Sequence, residues 1–245
     1  MRSGNPALNS KAFERFDVFE PTQAMTIEGT TIKTGFLLVL AAIAAVFTWV
    51  QFTNGGPAAM PLMWGGAIGG LVLAIATIFK PTWAPVTAPG YAMAEGLFLG
   101  GISAMYNSFY DGIVFQAVVL TFTTLLSMLI VYRAGWVRAT EKFKAGVFAA
   151  TGAIFFVYLI SMVMGMFGHG VPYIHDSGAI GIGFSLFVVV IAALNLVLDF
   201  DFIEQGAARQ APKYMEWYGA FGLMVTLVWL YLEILRLLSK LSRRG

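Results

Sequence analysis

Long runs of apolar residues alternate with short polar segments along most of the chain. Seven windows each hold about 20 mostly apolar residues, the length that a helix needs to cross a bilayer. They are roughly 32–53, 60–79, 88–109, 113–132, 145–168, 178–203 and 217–238. None shows the two-residue alternation of a membrane β-barrel strand, and in lipid a helix pairs its own backbone groups. The pattern predicts an all-α polytopic membrane protein with about seven spans.

The connectors are short and contain helix breakers, as in Asn54-Gly55-Gly56-Pro57 and in the stretch from Lys80 to Pro89. No soluble domain fits between the spans. We therefore expect a cytoplasmic N-terminal tail over residues 1–31, a membrane domain over 32–241 and a basic C-terminal tail over 242–245.

Composition excludes several classes of protein. Hydrophobic residues make up 58% and charged residues 11% of the 245 positions, against about 45–50% and 25% in soluble domains. The chain has no cysteine, which excludes disulfides and thiolate chemistry, and its net charge of +2 is too small to indicate a nucleic-acid partner. The lipid bilayer is the partner that the composition predicts.

Lysine and arginine occur in every second loop, which places the N-terminus in the cytoplasm. The compact chain and its short loops favour a bacterial cytoplasmic membrane. One exception is the C-terminal tail, which faces outward after seven full spans although it carries Arg236, Lys240, Arg243 and Arg244. Either the last helix is re-entrant, or the earlier loops outweigh the tail. The length of the seventh window favours a full span.

Small residues cluster in three windows and predict close helix packing there. They are Gly65, Gly66, Gly69 and Gly70 in the second window, Gly96, Gly100 and Gly101 in the third, and Gly178, Gly181 and Gly183 in the sixth.

The acidic residues inside the windows are few, and each costs roughly 2.5–3.5 kcal/mol on insertion scales. Glu95 and Asp199 are both expected in the inner half of the membrane, where they could share one cavity. Asn195 is four residues from Asp199 and lies on the same helical face, whereas Asp201 points about 200° away. We expect Asp201 and Glu204 to face headgroup water or the basic side chains of the adjoining loop.

Enzyme motifs are absent from the sequence, which predicts neither a catalytic activity nor a cofactor. His169, His175 and Asp176 fall in a glycine- and proline-containing outer loop without a further ligand, so a solvated loop is favoured over a metal site. Asp199 and Asp201 share a helix but face apart, which excludes an aspartyl dyad.

The segment Asn195-Leu-Val-Leu-Asp199-Phe-Asp-Phe-Ile-Glu204 and the later run Tyr231-Leu-Glu-Ile-Leu-Arg-Leu-Leu238 resemble the end of the Bax inhibitor family, most closely its bacterial branch. The third span, Ala94-Glu-Gly-Leu-Phe-Leu-Gly-Gly-Ile-Ser103, and Asp111-Gly-Ile before the fourth extend the resemblance. It implies six helices around a central seventh, and a pH-sensitive calcium leak gated by two aspartates on the sixth and seventh helices.

Asp199 matches the first of those two aspartates, but the second position has two alignments. The Leu-Tyr-Leu-acid pattern places Glu233 there, whereas the Leu-Arg-Leu-Leu ending places Thr226 there. The two are seven residues apart, so they share a face at heights that differ by about 10 Å. Thr226 is closer than Glu233 to the height of Asp199 in the membrane. Whether the protein has a proton switch made of two paired carboxylates therefore depends on which of these two residues contacts Asp199.

The resulting hypothesis is a cation pathway, by resemblance for calcium, in which Asp199 binds an ion or a proton. Glu95 and Glu233 are further acidic stations, with Asn195 and Thr226 beside them. The alternative is a non-transporting regulator that binds a membrane protease or a stress-response partner. Proton-coupled transport of a small solute is less favoured, because no paired broken helices occur in matching halves.

Overall fold

The computed structural model describes residues 24–167 and 178–243. In these residues the chain forms seven long helices and one short 3-10 helix at Pro81–Trp83. The helices are α1 (Ile27–Thr53), α2 (Ala59–Phe79), α3 (Ala84–Phe109), α4 (Ile113–Arg133), α5 (Glu141–Met166), α6 (Ala179–Ala208) and α7 (Met215–Ser242). The all-α prediction is confirmed.

Three predictions lie outside the described residues. They concern most of the N-terminal tail, the loop with His169, His175 and Asp176, and Arg244.

Six of the seven helices are long and apolar enough to cross a membrane, and α3 is the exception. It has ample length, with 26 residues, but it carries Glu95, many small residues and two prolines. Its polarity is tolerated because it packs between α1 and α2 and also contacts α7. The chain is a multi-pass membrane protein.

The start of α3 differs from the prediction, which placed a connector up to Pro89. The helix begins at Ala84, with Pro85 in its first turn and Pro89 inside it. Pro85 lies in the first turn, where the N–H that a proline lacks would have no helical partner. Pro89 lies in the second turn and removes one backbone hydrogen bond near the start of the helix. Ala84 and Ala88 are fully buried, so packing of this small-residue face compensates.

The other helices extend past the predicted windows. A threonine caps the start of two of them: the side chain of Thr26 accepts a hydrogen bond from Gly29 N at the start of α1, and that of Thr140 accepts one from Phe143 N at α5. Helix α1 therefore begins inside the segment that was predicted to be a tail.

Close packing at glycine is confirmed for α3. A Cβ on Gly96 would overlap the backbone at Ala41, and one on Gly100 would overlap the backbone at Ala45. On the opposite side, a Cβ on Gly66 of α2 would lie 2.5 Å from the carbonyl oxygen of Ala94. Gly65, Gly69, Gly178 and Gly183 make no such approach. The prediction is therefore confirmed for particular glycines of α2 and α3, and it is wrong for Gly178 and Gly183 of α6.

Helix α7 is the most enclosed of the six apolar helices. It packs against α1, α3, α4 and α6, and its largest buried side chains include Met224, Leu230 and Leu235. The last helix was expected to be central, and its contacts with these four helices confirm this.

The two ends of α7 show that it crosses the whole bundle. At its start, Glu216 forms an ion pair with Lys33 near the beginning of α1. At its other end, Arg243 Nε donates to the hydroxyl of Tyr110, which follows α3, at 2.9 Å. Because α1 and α3 run in the same direction, these contacts lie at opposite ends of the bundle. The 28 residues of α7 rise about 42 Å without a break, so the helix is long and apolar enough for the predicted full span.

Candidate functional site

The candidate site lies where α6 faces the middle of α7, around Asp199. A Cβ on Gly222 of α7 would lie 3.9 Å from Asp199 Oδ1, so the missing side chain leaves room for the carboxyl group. Thr226 lies one turn further along α7, and its side chain is the hydrogen-bond partner of this carboxyl group. The other oxygen, Oδ2, is buried and has no hydrogen-bond partner among the described residues.

The partner of Asp199 decides between the two alignments of the resemblance. Thr226 faces Asp199, whereas the Glu233 carboxylate is engaged two turns away by other groups. The described part of the chain therefore has a threonine, and no second carboxylate, beside Asp199. The Thr226 hydroxyl has a single proton, and its alternative acceptor is Gly222 O of its own helix, at 3.4 Å.

Glu233 belongs to a separate polar cluster nearer the end of α7. Its carboxylate accepts hydrogen bonds of 3.0 Å from the Tyr158 hydroxyl of α5 and pairs with Arg236 Nη1 at 2.7 Å. Arg236 also donates to Tyr158 at 2.7 Å. Glu233 is 2% exposed, and its partnered carboxylate forms a cross-link between α5 and α7, apart from the turn of α7 that faces Asp199. A role for Glu233 as a further acidic station stays a prediction.

Asn195 and Asp199 lie one turn apart, yet they contact different helices. The Asn195 amide donates at 2.9 Å to Thr151 Oγ1 of α5 and to Ile191 O of its own helix. The Asn195 amide nitrogen thus faces α5 rather than Asp199, because a 40° offset on α6 is enough to turn it. The place of Asn195 in an ion pathway stays a prediction.

Asp201 and Glu204 lie on another side of α6. Asp201 pairs with Lys144 at 2.8 Å and accepts from Gln205 Nε2 at 2.5 Å, which confirms a basic neighbour for it. Glu204 accepts a hydrogen bond from the Tyr132 hydroxyl at the end of α4, a partner that the sequence did not indicate.

Glu95 is half-buried at the interface of α2 and α3. A Cβ on Gly70 would lie 2.7 Å from Glu95 Oε2, so this glycine leaves the space that the carboxyl group fills. Asp199 packs instead on α7. The two acids lie at different helix interfaces, and the expected shared cavity is wrong. The reason is packing: α2 and α3 are in close contact, whereas α3 is not a principal neighbour of α6.

A buried acid that the sequence analysis missed lies at the start of α7. Glu216 is fully buried, accepts from Thr26 N and Thr26 Oγ1 at 2.9 and 2.7 Å, and pairs with Lys33 and Lys213. A Cβ on Gly29 would overlap the carboxylate. Glutamate in a first turn suits the helix dipole, but its partners Thr26 and Lys33 are 190 and 183 positions away along the chain.

The basic C-terminal tail also needs correction. Lys240 is 5% exposed and donates from within the bundle to Gly181 O and Ser185 Oγ of α6 at 2.9 and 2.8 Å. Arg236 is held by Glu233 and Tyr158. Two of the four basic residues are thus parts of α7 that bind other helices, which removes much of the apparent conflict with the distribution of basic loops.

These contacts divide the acids of α6 and α7 into two kinds. Glu216, Glu233 and Asp201 each have a cationic partner. Glu204 has the Tyr132 hydroxyl as its partner. Asp199 has a threonine and, among the described residues, one buried oxygen without a hydrogen-bond partner. A buried carboxyl group without a cation can hold a proton or bind an ion that reaches it.

The architecture and the acid on α6 together define a helical membrane protein built around a central last helix. The sequence profile of the family described as Bax inhibitor 1 like matches residues 5–243, which is nearly the whole chain, and the protein belongs to this family. No individual curated relative matches the sequence.

Proposed function

We propose that this protein is a pathway for cations, calcium foremost, in the cytoplasmic membrane of a bacterium, with its N-terminus in the cytoplasm. The observation that carries the proposal is the buried Oδ2 atom of Asp199, which has no partner among the described residues. Leaving a buried polar atom unpaired costs about 1–3 kcal/mol, a cost that a transport site would justify. The role is transport rather than catalysis.

Calcium prefers oxygen ligands, usually six to eight of them. Asp199 supplies a carboxylate and Thr226 a hydroxyl group, and Gly222 leaves space on the facing turn of α7. Water carried with the ion would supply the remaining ligands. We propose a hydrated, weakly held ion at this point, which suits conduction better than storage because an ion in a pathway must also leave.

The proton dependence of such a pathway would differ from that of a paired-carboxylate switch. Two neighbouring carboxyl groups titrate as a coupled pair with two macroscopic steps. Asp199 faces Thr226 instead, so we propose that protonation of Asp199 alone closes the pathway. Flux plotted against pH should then follow a single protonation step.

The test is calcium uptake by vesicles that contain the purified protein and a trapped calcium indicator. We expect uptake above that of empty vesicles, and its loss in Asp199→Asn. Asp201→Asn is the matched control, because it makes the same change two residues along α6 at a carboxylate that faces Lys144. It should keep the flux.

Wild-type flux equal to that of empty vesicles, or equal flux in Asp199→Asn and wild type, would refute the proposal. Absent flux together with a stoichiometric co-purifying membrane protein would instead favour a regulator of a protease or stress-response partner.

A further inference from the structure

A cavity on the opposite side of α7 from the α5 cluster has no part in the proposed pathway. It has a volume of about 340 Å³ and is lined by α1, α3, α4 and α7, with Asp199 absent from its wall. The volume falls in the range of roughly 300–1,000 Å³ that is common for small-molecule sites.

The cavity is deep. Its innermost lining includes Met224, Leu227 and Tyr231 of α7, which are 0%, 4% and 9% exposed. At its mouth lie Val46 of α1 and Phe122 of α4, which are 62% and 43% exposed. A narrow ligand can thus pass from the outer surface of the bundle to the central helix.

The mouth opens onto a surface that faces lipid. Val46 and Phe122 belong to helices that are long and apolar enough to span the membrane, and their neighbours Ile43 and Val119 are 64% and 45% exposed. The cavity is therefore continuous with the surface that acyl chains cover. An aqueous solute would have no route to this mouth, whereas an acyl chain is already beside it.

The lining is apolar except at a few points. The Ser103 and Tyr231 hydroxyl groups hydrogen-bond each other at 2.7 Å, so the two main polar side chains of the inner wall satisfy each other and offer a ligand no unpaired charge. An apolar cavity of this kind stays dry and accepts apolar molecules. Water or a hydrated ion would find few partners here.

We propose that this cavity, the α1/α4 cleft, binds one acyl chain of a bilayer phospholipid, inserted laterally so that its end reaches α7 at Leu227. The bound chain would lie against the turn of α7 that follows Thr226. It would thereby support the central helix from the side opposite α6. The proposal is independent of calcium conduction, because it concerns other residues and a different ligand.

The test uses the full-length protein in phosphatidylcholine vesicles that contain a trace of phosphatidylcholine with a photoreactive diazirine near the end of one acyl chain. After irradiation, adducts are mapped by peptide mass spectrometry. We expect adducts at Leu227 and Tyr231, which are buried, in addition to Phe148 on α5, which is 78% exposed and reports ordinary contact with lipid.

The cleft can be filled from either wall. Ala42→Trp on α1 and Val118→Trp on α4 both place a large side chain among the lining residues, and each should abolish the Leu227 adducts while the Phe148 adducts remain. Ala149→Trp, on the exposed side of α5, is the matched control and should leave both sets unchanged. Using both filling variants guards against misfolding of one of them.

Several results would overturn the proposal. One is adducts confined to exposed faces in the wild type, and another is Leu227 adducts that persist in both filling variants. A third is occupation by a second copy of the chain. Because the native sequence has no cysteine, Val46→Cys would then form disulfide-linked dimers, and Leu227 would lack lipid adducts.

Discussion

Asp199 and Glu233 lie on facing helices, and both are acids inside a membrane protein, yet their surroundings differ. Glu233 is 2% exposed and has Arg236 and Tyr158 as partners. Asp199 keeps one oxygen without a partner in the described residues. Burial alone therefore does not identify a functional acid. A paired acid is already compensated and acts as a cross-link, whereas an unpaired acid retains the capacity to bind.

Glu216 extends the comparison to the start of α7, and we expect its removal to have the largest effect on stability. Glu216→Gln would leave Lys33, whose side chain is 19% exposed, without its counter-charge, and breaking a buried pair costs about 3 kcal/mol or more. Thermal unfolding in detergent should show a clearly lower midpoint. Glu28→Gln, at an exposed first-turn glutamate of α1, should leave the midpoint nearly unchanged. Equal midpoints for the two variants would mean that the buried cluster does not anchor α7.

Glu233→Gln should have a smaller effect, about 1.5 kcal/mol, because a hydrogen-bonded charge is lost while Arg236, with its side chain 34% exposed, can turn toward water or headgroups. The same thermal measurement checks this. In the vesicle assay, this variant should retain calcium flux. Loss of flux with normal stability would show that Glu233 is a station of the pathway and would break the comparison.

Asp199→Asn should change stability least and in the opposite direction. The amide keeps the shape of the carboxyl group and removes the desolvation cost of a carboxylate that has no cationic partner. We expect a free energy of unfolding equal to that of the wild type or up to roughly 1 kcal/mol above it. A destabilisation as large as that of Glu216→Gln would show that Asp199 has a structural partner and that its oxygen is not available for binding.

Thr226→Asp sharpens the comparison through the proton dependence of flux. It places a second carboxyl group beside Asp199, and two such groups titrate as a coupled pair. We expect the flux of this variant to depend on pH in two steps rather than one. Thr226→Asn, of similar size but without a titratable group, should keep the single step. A single step in Thr226→Asp would mean that the two positions do not meet in the membrane.

Local sequence was enough to predict the helices and part of the site. Runs of about 20 apolar residues indicate spans because each helix must satisfy its own backbone in lipid, and α4 and α6 begin within one residue of their predicted starts. The spacing of Asp199 and Asp201 correctly placed them on different sides of α6. Pro89 was misread as a connector because the pattern contains no measure of how tightly Ala84 and Ala88 pack.

Pairing between distant residues could not be predicted in the same way. Glu216 is partnered by Thr26 and Lys33 across more than 180 positions, and Lys240 by Ser185 across 55. The apparent tail at Lys240 and the apparent cavity shared by Glu95 and Asp199 were both wrong for this reason. Such contacts depend on which helices are neighbours, and hydropathy carries no information about that.

The sequence by itself determined that this chain is a helical membrane protein and which few acids lie within its spans, since both follow from the free energy of placing apolar and charged groups in hydrocarbon. Only the tertiary structure decided what each acid meets. It gave Glu216 its Lys33 partner and Glu233 its Tyr158 partner, placed Thr226 rather than Glu233 against Asp199, and opened the α1/α4 cleft beside α7. The physical reason is that partners and cavities arise from the packing of several helices, and no single apolar run records that arrangement.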